Sequence, residues 1–520
     1  MKINYCLVSI SILFACFWIE SCSLDYDPVS QYSDVTEEIN SEGEKPIFVD
    51  RQAAIDARTS LHRRFRSGQE HWYLDMLLLN ETHSDNAYAG TYGNETTPFA
   101  ANSIEGSNIN LARDWTGHMG NIARANNFIW GVDALPDLTS EEKRQFIAEG
   151  KIIRAMIYFD MVRIWGNVPL ITTIAGEITS ESIVDVYPLY YPPQSDELTL
   201  YKQIEEDLLE GLQYAPDDKP NDKDKSLYAT LPSKQVARAL LAKVYAEKPL
   251  QDYDKVIKYA DELAADGFDL VEDFEDLWGV ALTDPNEPVS NENRAISAKV
   301  RHTVESIYEA AYFTGATSWV SFMFGRLLDN WNNNFTWAKW ITPSRDIIRE
   351  YLSEEGDKRY AQAVVWYSCG WSNHYPMDNY AFMFKYRSSF NSIIKIRYAD
   401  ILLLKAEALI AKNDFAGAAS IINRTRNRAG LGNLPPSATA DKEAILNAYL
   451  KERRLELAFE GERWFDLVRH DKVEEVMNSV YERDPDRIPL VYPFDQYSYK
   501  LPIPATAIDA NPNLVQNPGY

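Results

Sequence analysis

Three residue classes in this chain could do chemistry: carboxylates, histidines and aromatic rings. The catalytic motifs that would employ the first two are missing. There is no G-x-S-x-G, no phosphate-binding glycine loop, no H-E-x-x-H and no dinucleotide fingerprint. The seven histidines are dispersed, and none pairs with another at helical metal-ligand spacing. His71 and His374 therefore read as polar residues of the core or surface rather than ligands. A glycosidase needs two carboxylates across a cleft. Glu460 and Glu462 would lie about 200° apart around a helix and cannot face one substrate. Glu456 and Glu460 share a helical face, but Arg453 and Arg463 stand within pairing distance. Asp217, Asp222 and Asp224 offer calcium ligands in DDKPNDKDK, yet the spacing is not that of an EF-hand and the turn has no glycine. No metal and no cofactor is expected.

The positive signal is aromatic. The chain holds thirteen tryptophans and thirty-one tyrosines. Sugars present apolar C–H faces rimmed by hydroxyls. Flat rings can stack on the faces while amides, carboxylates and guanidinium groups bind the rim, at little cost in rotamer entropy. Two irregular stretches carry such rings among polar residues. Glu81 to Asn108 is rich in Asn, Gly, Thr and Ser, with Tyr88, Tyr92 and Phe99 at no regular period. DNWNNNFTWAKW, Asp329 to Trp340, follows Trp319 and sets Trp331, Trp337 and Trp340 around three asparagines. Trp366, Tyr367, Trp371 and His374 come next. Long irregular insertions in a folded chain are more often functional than filler. The two stretches are expected to form one exposed platform. Tyr88, Tyr92, Trp319, Trp331, Trp337 and Trp340 would supply the rings, and Asp85, Asn86, Asn332 and Asn333 the hydrogen bonds.

Helices must position these loops. Ala54, Ala57 and Leu61 begin a helical pattern near Asp50, and Trp115 to Val132 continues it. Thr139-Ser140-Glu141-Glu142 is a capping box opening a long helix with Phe146, Ile153, Ile157 and Ile164 on one face, ended by Gly166 and Pro169. Val236, Leu240 and Val244 face a return helix carrying Val256, Ala260 and Leu263. Tyr398 to Arg426 repeats the arrangement, with Ala408 a small contact and Phe415, Ala419 and Ile422 facing back. Small residues on one helix receiving large ones from the next are the economy of tetratricopeptide hairpins. The two units stand far apart, which argues against a continuous tandem array. Lys451 to His470, KERRLELAFEGERWFDLVRH, reads as one amphipathic helix. Its Arg453–Glu456 and Glu460–Arg463 pairs are spaced to bond along one flank, and Gly461 leaves a gap that another backbone can approach. Tyr380 to Tyr386 alternates weakly, as a short strand does.

The net charge of −25 disfavours nucleic acid. Lys2 and an apolar run from Leu7 to Ile19 form a segment too short to span a membrane comfortably, and read as a secretory signal. Small Ser21 before Cys22 looks like a lipoprotein cleavage site with Cys22 acylated. Cys16, after Leu13-Phe14-Ala15, is the competing site. Removing residues 1–21 takes away Lys2 and Glu20 and leaves the charge at −25. Residues 22–48 read as a tether and 49–520 as one body, its N-terminal part about 49–270 and its C-terminal part about 271–520. Cys369 reads as a buried small hydrophobe.

KERRLELAFEGERWFDLVRH resembles a signature of the SusD/RagB family of outer-membrane glycan-binding lipoproteins. Ala148 to Ile171, Leu200 to Pro216 and the closing LPIPATAIDANPNLVQNPGY resemble further signatures, in the family's order. The resemblance implies a mainly α fold: tetratricopeptide-like hairpins with long irregular loop insertions, a few short strands, and the carboxyl end strapped over the body. It implies a surface-exposed lipoprotein of the outer membrane that holds oligosaccharide without cleaving it and caps a SusC-like TonB-dependent transporter. The family also includes members linked to peptide uptake, which is the alternative reading. A pure protein-interaction module and a carbohydrate-active enzyme are the rivals from other classes.

Overall fold

A computed structural model describes residues 47–175, 183–220, 229–278, 301–312, 318, 320, 339–387 and 392–520. The expected signal, Cys22 and nearly all of the tether lie outside these residues. So do Trp319, Trp331, Asn332, Asn333, Trp337, Asp222 and Asp224.

The described chain is mainly α, with four two-stranded sheets. Helix α1 (Arg51–His62) starts where the Asp50 carboxylate accepts from Ala53 N at 2.8 Å. Helices α2 (Ile109–Ala134) and α3 (Ser140–Trp165) form the first long pair. The capping box is present: Thr139 N donates to Glu142, and Glu142 N donates back to the Thr139 hydroxyl. Phe146, Ile153, Ile157 and Ile164 are all buried, and Gly166, at φ +74°, ends α3. A short helix α4 (Ile183–Tyr190) precedes α5 (Glu197–Tyr214), which packs on α3. A Cβ at Gly211 would sit 2.5 Å from Ile152, so α5 needs glycine to lie that close.

The two expected hairpins are α6 (Lys234–Ala246) with α7 (Tyr253–Ala265), and, after α8 (Arg345–Leu352), α9 (Tyr398–Ala411) with α10 (Phe415–Arg428). Their separation in sequence is misleading. In space α9 packs against both α6 and α7. Lys412 Nζ meets Asp254 at 2.7 Å, and Lys243 Nζ meets Asp400 at 2.5 Å. The stack α2–α3–α5–α6–α7–α9–α10 is therefore contiguous, and the chain between α7 and α9 is an insertion into it. One connected cluster of buried apolar side chains runs through this stack, from Ala54 to Leu514.

The signature stretch is not one helix. It is α11 (Lys442–Leu457) and α12 (Arg463–Arg469), joined by an elbow in which Phe459 has φ +67° and Gly461 φ +86°. The elbow exists because a buried π-helix, Tyr73–Thr82, lies against it. A Cβ at Gly461 would lie 3.0 Å from Met76 Cα, so the gap expected there is filled by another backbone. Asn80 Oδ1 accepts from Trp464 N at 3.0 Å and caps α12 from hundreds of residues away.

The charges do not pair along one flank either, because the elbow turns them into the body. Arg453 donates to Asp466 at 2.8 Å and pairs with Asp400. Glu456 takes Arg397 at 2.7 Å, Arg428, and Arg359 at 3.4 Å. Glu460 takes Lys385 and Arg397, and Arg463 grips Asp85 with two hydrogen bonds. Burial alone would raise the Glu456 carboxyl, but Arg428, Arg397 and Arg359 override it and hold it well below its usual range.

The carboxyl end does lie over the body. Leu501 and Ile503 are buried, and Asn517 Nδ2 donates to the carbonyls of Trp165 and Leu501. It contains one short helix, Ala505–Ala510. Cys369 is buried, as expected.

Candidate functional site

The expected platform joins residues near 90 to residues near 340, and the structure brings these together. Strand β1 (Ala87–Ala89) pairs antiparallel with β2 (Ile341–Pro343), with Tyr88 opposite Thr342. The ladder continues outward as Gly90 N donates to Trp340 O at 2.8 Å and the Thr91 hydroxyl to Lys339 O at 3.0 Å. A Cβ at Gly90 would stand 2.3 Å from Lys339 O, so only glycine permits this approach.

A third segment docks on the same edge. Strands β3 (Val364–Tyr367) and β4 (Tyr380–Met383) form a hairpin whose loop is closed by Cys369 N donating to Met377 O at 2.8 Å. The loop is anchored at His374, whose Nε2 lies 2.8 Å from Ala89 O. The His374 ring stacks on Tyr88 at 4.5 Å and leans on Tyr92 at 5.6 Å. The Tyr92 hydroxyl donates to Asn373 O at 3.1 Å, and Asn373 Oδ1 accepts from the Tyr380 hydroxyl at 2.7 Å. Arg345, at the start of α8, lies over the Tyr375 ring at 4.4 Å. Trp366 stands 5.1 Å from Tyr375, and Trp371 5.8 Å from Tyr380.

The outcome is a layered aromatic cluster. Its inner layer is Tyr88, His374, Tyr375 and Tyr380, all buried. Around it Tyr92, 56% exposed, leans on His374, while half-buried Trp366 packs on Tyr375, half-buried Trp371 on Tyr380, and half-buried Trp340 on Tyr73. Burial pushes the His374 imidazole down to about 4, so it is neutral at physiological pH. Burial first, and then the Asp484 carboxylate, pushes the Tyr88 hydroxyl upward, and burial also raises Tyr92. These groups keep their protonation near neutrality. Beside the rings stand the Asn373 amide and the Arg345 guanidinium, which faces the exposed Asp486 carboxylate at 3.4 Å.

Three residues expected on the platform belong to the frame instead. Tyr88 is 1% exposed; its hydroxyl donates to Asp484 and accepts from Arg345 N at 2.9 Å. Asp85 is buried between Arg463 and Arg454, at 2.8 and 3.2 Å. Burial opposes its charge, but Arg454 and Arg463 prevail and hold its carboxyl well below the usual range. Asn86 is buried too, donating to Glu81 at 2.9 Å and accepting from Arg454 at 2.9 Å. A lone carboxylate in polar sequence looks solvated; here its counter-ions come from the far end of the chain. Of the expected ring residues that are described, Tyr92 is exposed and Trp340 is half-buried against Tyr73. Trp366, Trp371 and Asn373 lie around the same buried rings as Tyr92 and had not been singled out for the site. Their signal was the same density of aromatic and polar residues that marked the other two loops.

Among the described residues no group of three or more His, Cys, Asp or Glu could hold a metal ion. Asp217 accepts from Gln235 at 3.1 Å and from Lys234. No helix of the described residues is long and apolar enough to cross a membrane.

Two family descriptions match the chain: "SusD family" over residues 385–520 and "Starch-binding associating with outer membrane" over residues 31–246. SusD-like protein P38 of Formosa agariphila is 24% identical over 513 residues, covering 93% of each chain. Among solved structures, a "Laminarin binding SusD-like protein" superposes with a TM-score of 0.67 at 22% identity, covering 91% of this chain and all of that one. Surface glycan-binding protein A from Bacteroides fluxus superposes at 0.69 with 21% identity, covering 90% and 99%.

Proposed function

This chain belongs to the SusD/RagB family, and we propose that it binds oligosaccharide at the cell surface without cleaving it and delivers it to a SusC-like TonB-dependent transporter. The observation that carries this reading is the outer aromatic layer. Tyr92 is exposed on a cluster of buried rings, against which half-buried Trp366 and Trp371 also pack. Tryptophan and tyrosine faces stack on the C–H faces of a sugar. The carboxylates of the signature stretch are held in ion pairs, which supports binding over hydrolysis at that stretch. Relatives named for laminarin and surface glycans support the ligand class. Acylation at Cys22 would anchor the chain, with residues after it as the tether.

The test is a glycan array probed with the chain lacking residues 1–22, run beside a peptide array. The reading predicts binding to a restricted set of oligosaccharides, with no new reducing ends after incubation. Peptide binding without glycan binding, or product release, would overturn it.

A further inference from the structure

A small chamber lies under the π-helix, where that element meets α3, α6, the strand Ile393–Arg397 and the elbow at Gly461. Most of the charge lining it is matched. Lys395 Nζ meets Asp160 at 2.7 Å, Lys243 Nζ meets Glu462 at 2.7 Å, and Arg163 Nη2 meets Asp160 at 3.1 Å. Three lining side chains, each more than nine-tenths buried, keep one polar atom with no hydrogen-bond partner among the described residues. The atoms are Asp75 Oδ1, Arg163 Nε and His71 Nδ1. The other Asp75 oxygen, Oδ2, stands 3.7 Å from Lys395 Nζ, too far for a hydrogen bond. Buried polar atoms of this kind cost free energy unless something bonds them.

The chemistry of the three atoms decides what can bind them. Arg64 Nε and Arg124 Nη1 donate to Asn121 Oδ1 at 3.0 and 3.1 Å, so Asn121 Nδ2 is turned to Glu70 and His71. His71 Nε2 therefore accepts from Asn121 Nδ2 at 3.0 Å. Burial pushes the His71 imidazole down to about 3, so it is neutral and carries its one proton on Nδ1. Two of the three atoms are thus N–H donors, and the third belongs to a carboxyl group. Burial first, and then the Asp160 carboxylate, raises Asp75 to about 7, against Lys395 and Arg163. In either protonation state it needs a partner. A metal cation in the chamber would face two N–H donors and the charges of Arg163, Lys243 and Lys395. An anion would face Asp75, Asp160 and Glu462. A molecule that both donates and accepts suits all three atoms. The chamber measures about 30 Å³. One water needs roughly 10–15 Å³ of such space, so there is room for about two.

We infer that this chamber is a binding site for ordered water, shared by Asp75, Arg163 and His71. The water joins the π-helix, through Asp75, to α3, through Arg163. It is thereby part of the support against which the elbow turns.

The test is a crystal structure of the chain lacking residues 1–22, at a resolution that orders internal water, with rubidium-soaked crystals beside it. Magnetic relaxation dispersion of solvent nuclei counts long-lived internal waters in solution. Native crystals should show water in the chamber within about 3.2 Å of Asp75 Oδ1, Arg163 Nε or His71 Nδ1, and no rubidium signal there. Asp75→Leu should lose at least one long-lived water, and Asp75→Asn, which keeps the shape and a polar group, should retain the native number. A dry chamber, with the three atoms bonded to protein, overturns the inference. So does rubidium in the chamber, which assigns it to a cation, and so does a folded Asp75→Leu chain with the native number of waters. The native crystals decide the question even where Asp75→Leu does not fold.

Discussion

Two regions of this molecule are dense in residues that chemistry uses, and they use them in opposite ways. Around α11 and α12 every carboxylate of the signature stretch meets arginine or lysine inside the body: Glu456 with Arg397 and Arg428, Glu460 with Lys385, Asp466 with Arg453. Around Tyr92 the rings meet each other on their inner side and solvent on their outer side. Rings stacked on rings lose little when a ligand replaces water on the open face. Buried ions already matched cannot exchange partners without a large desolvation cost. The motif that identifies the chain is therefore frame, and the region proposed to contact ligand carries no motif.

That contrast predicts that frame substitutions change stability and leave affinity alone, while rim substitutions do the reverse. The largest effect is expected from Glu456→Ala, which takes one shared carboxylate from three buried arginines and leaves them to Glu305, Glu460, Asp357 and Glu452, and should cost about 3–5 kcal/mol. Denaturant unfolding measures it, and a loss below about 1 kcal/mol would place this cluster among weak surface pairs. Gly461→Ala comes next. It places a Cβ at φ +86° and 3.0 Å from Met76 Cα, and strain of this kind costs about 1–3 kcal/mol. An unchanged Tm would show that the elbow tolerates side chains.

A pH profile sharpens the frame side further. Burial raises the Glu81 carboxyl to about 8, although Asn86 and Gly461 N donate hydrogen bonds to it. The folded chain then keeps a proton between about 4.5 and 8 that the unfolded chain releases. This contribution is full below the unfolded value and is lost as pH rises through the folded one. Glu81→Gln removes that loss, so Tm should fall less steeply than in the native chain between pH 5 and 8.5, a range chosen to bracket the shift. Identical slopes would show that Glu81 is ionised in the folded state. The smallest expected effect is Thr139→Ala, which removes one capping hydroxyl and should cost about 1 kcal/mol without touching glycan affinity.

The helical frame was legible wherever apolar residues kept a period. Phe146 to Ile164, Val236 to Leu263 and the hairpin from Tyr398 all stand where their spacing placed them. The elbow at Gly461 was not, because its cause is the π-helix at Tyr73–Thr82, which periodicity cannot bring beside it. The site was half legible. The polar, ring-rich texture of two loops announced that they belong together, and the β1–β2 pairing joins them. Which residues face outward depended on partners far along the chain. Asp484 draws Tyr88 inward, and Arg454 and Arg463 draw in Asp85. No local pattern records such pairings.

The central claim is that exposed rings at the Tyr92 rim hold sugar. Isothermal titration with the strongest oligosaccharide from the array, on the native chain and on Tyr92→Ala/Trp371→Ala, tests it most directly. The account predicts that affinity falls by about tenfold or more, some 1.4 kcal/mol, with Tm unchanged. Equal affinity in the two chains, with both folded, would contradict it.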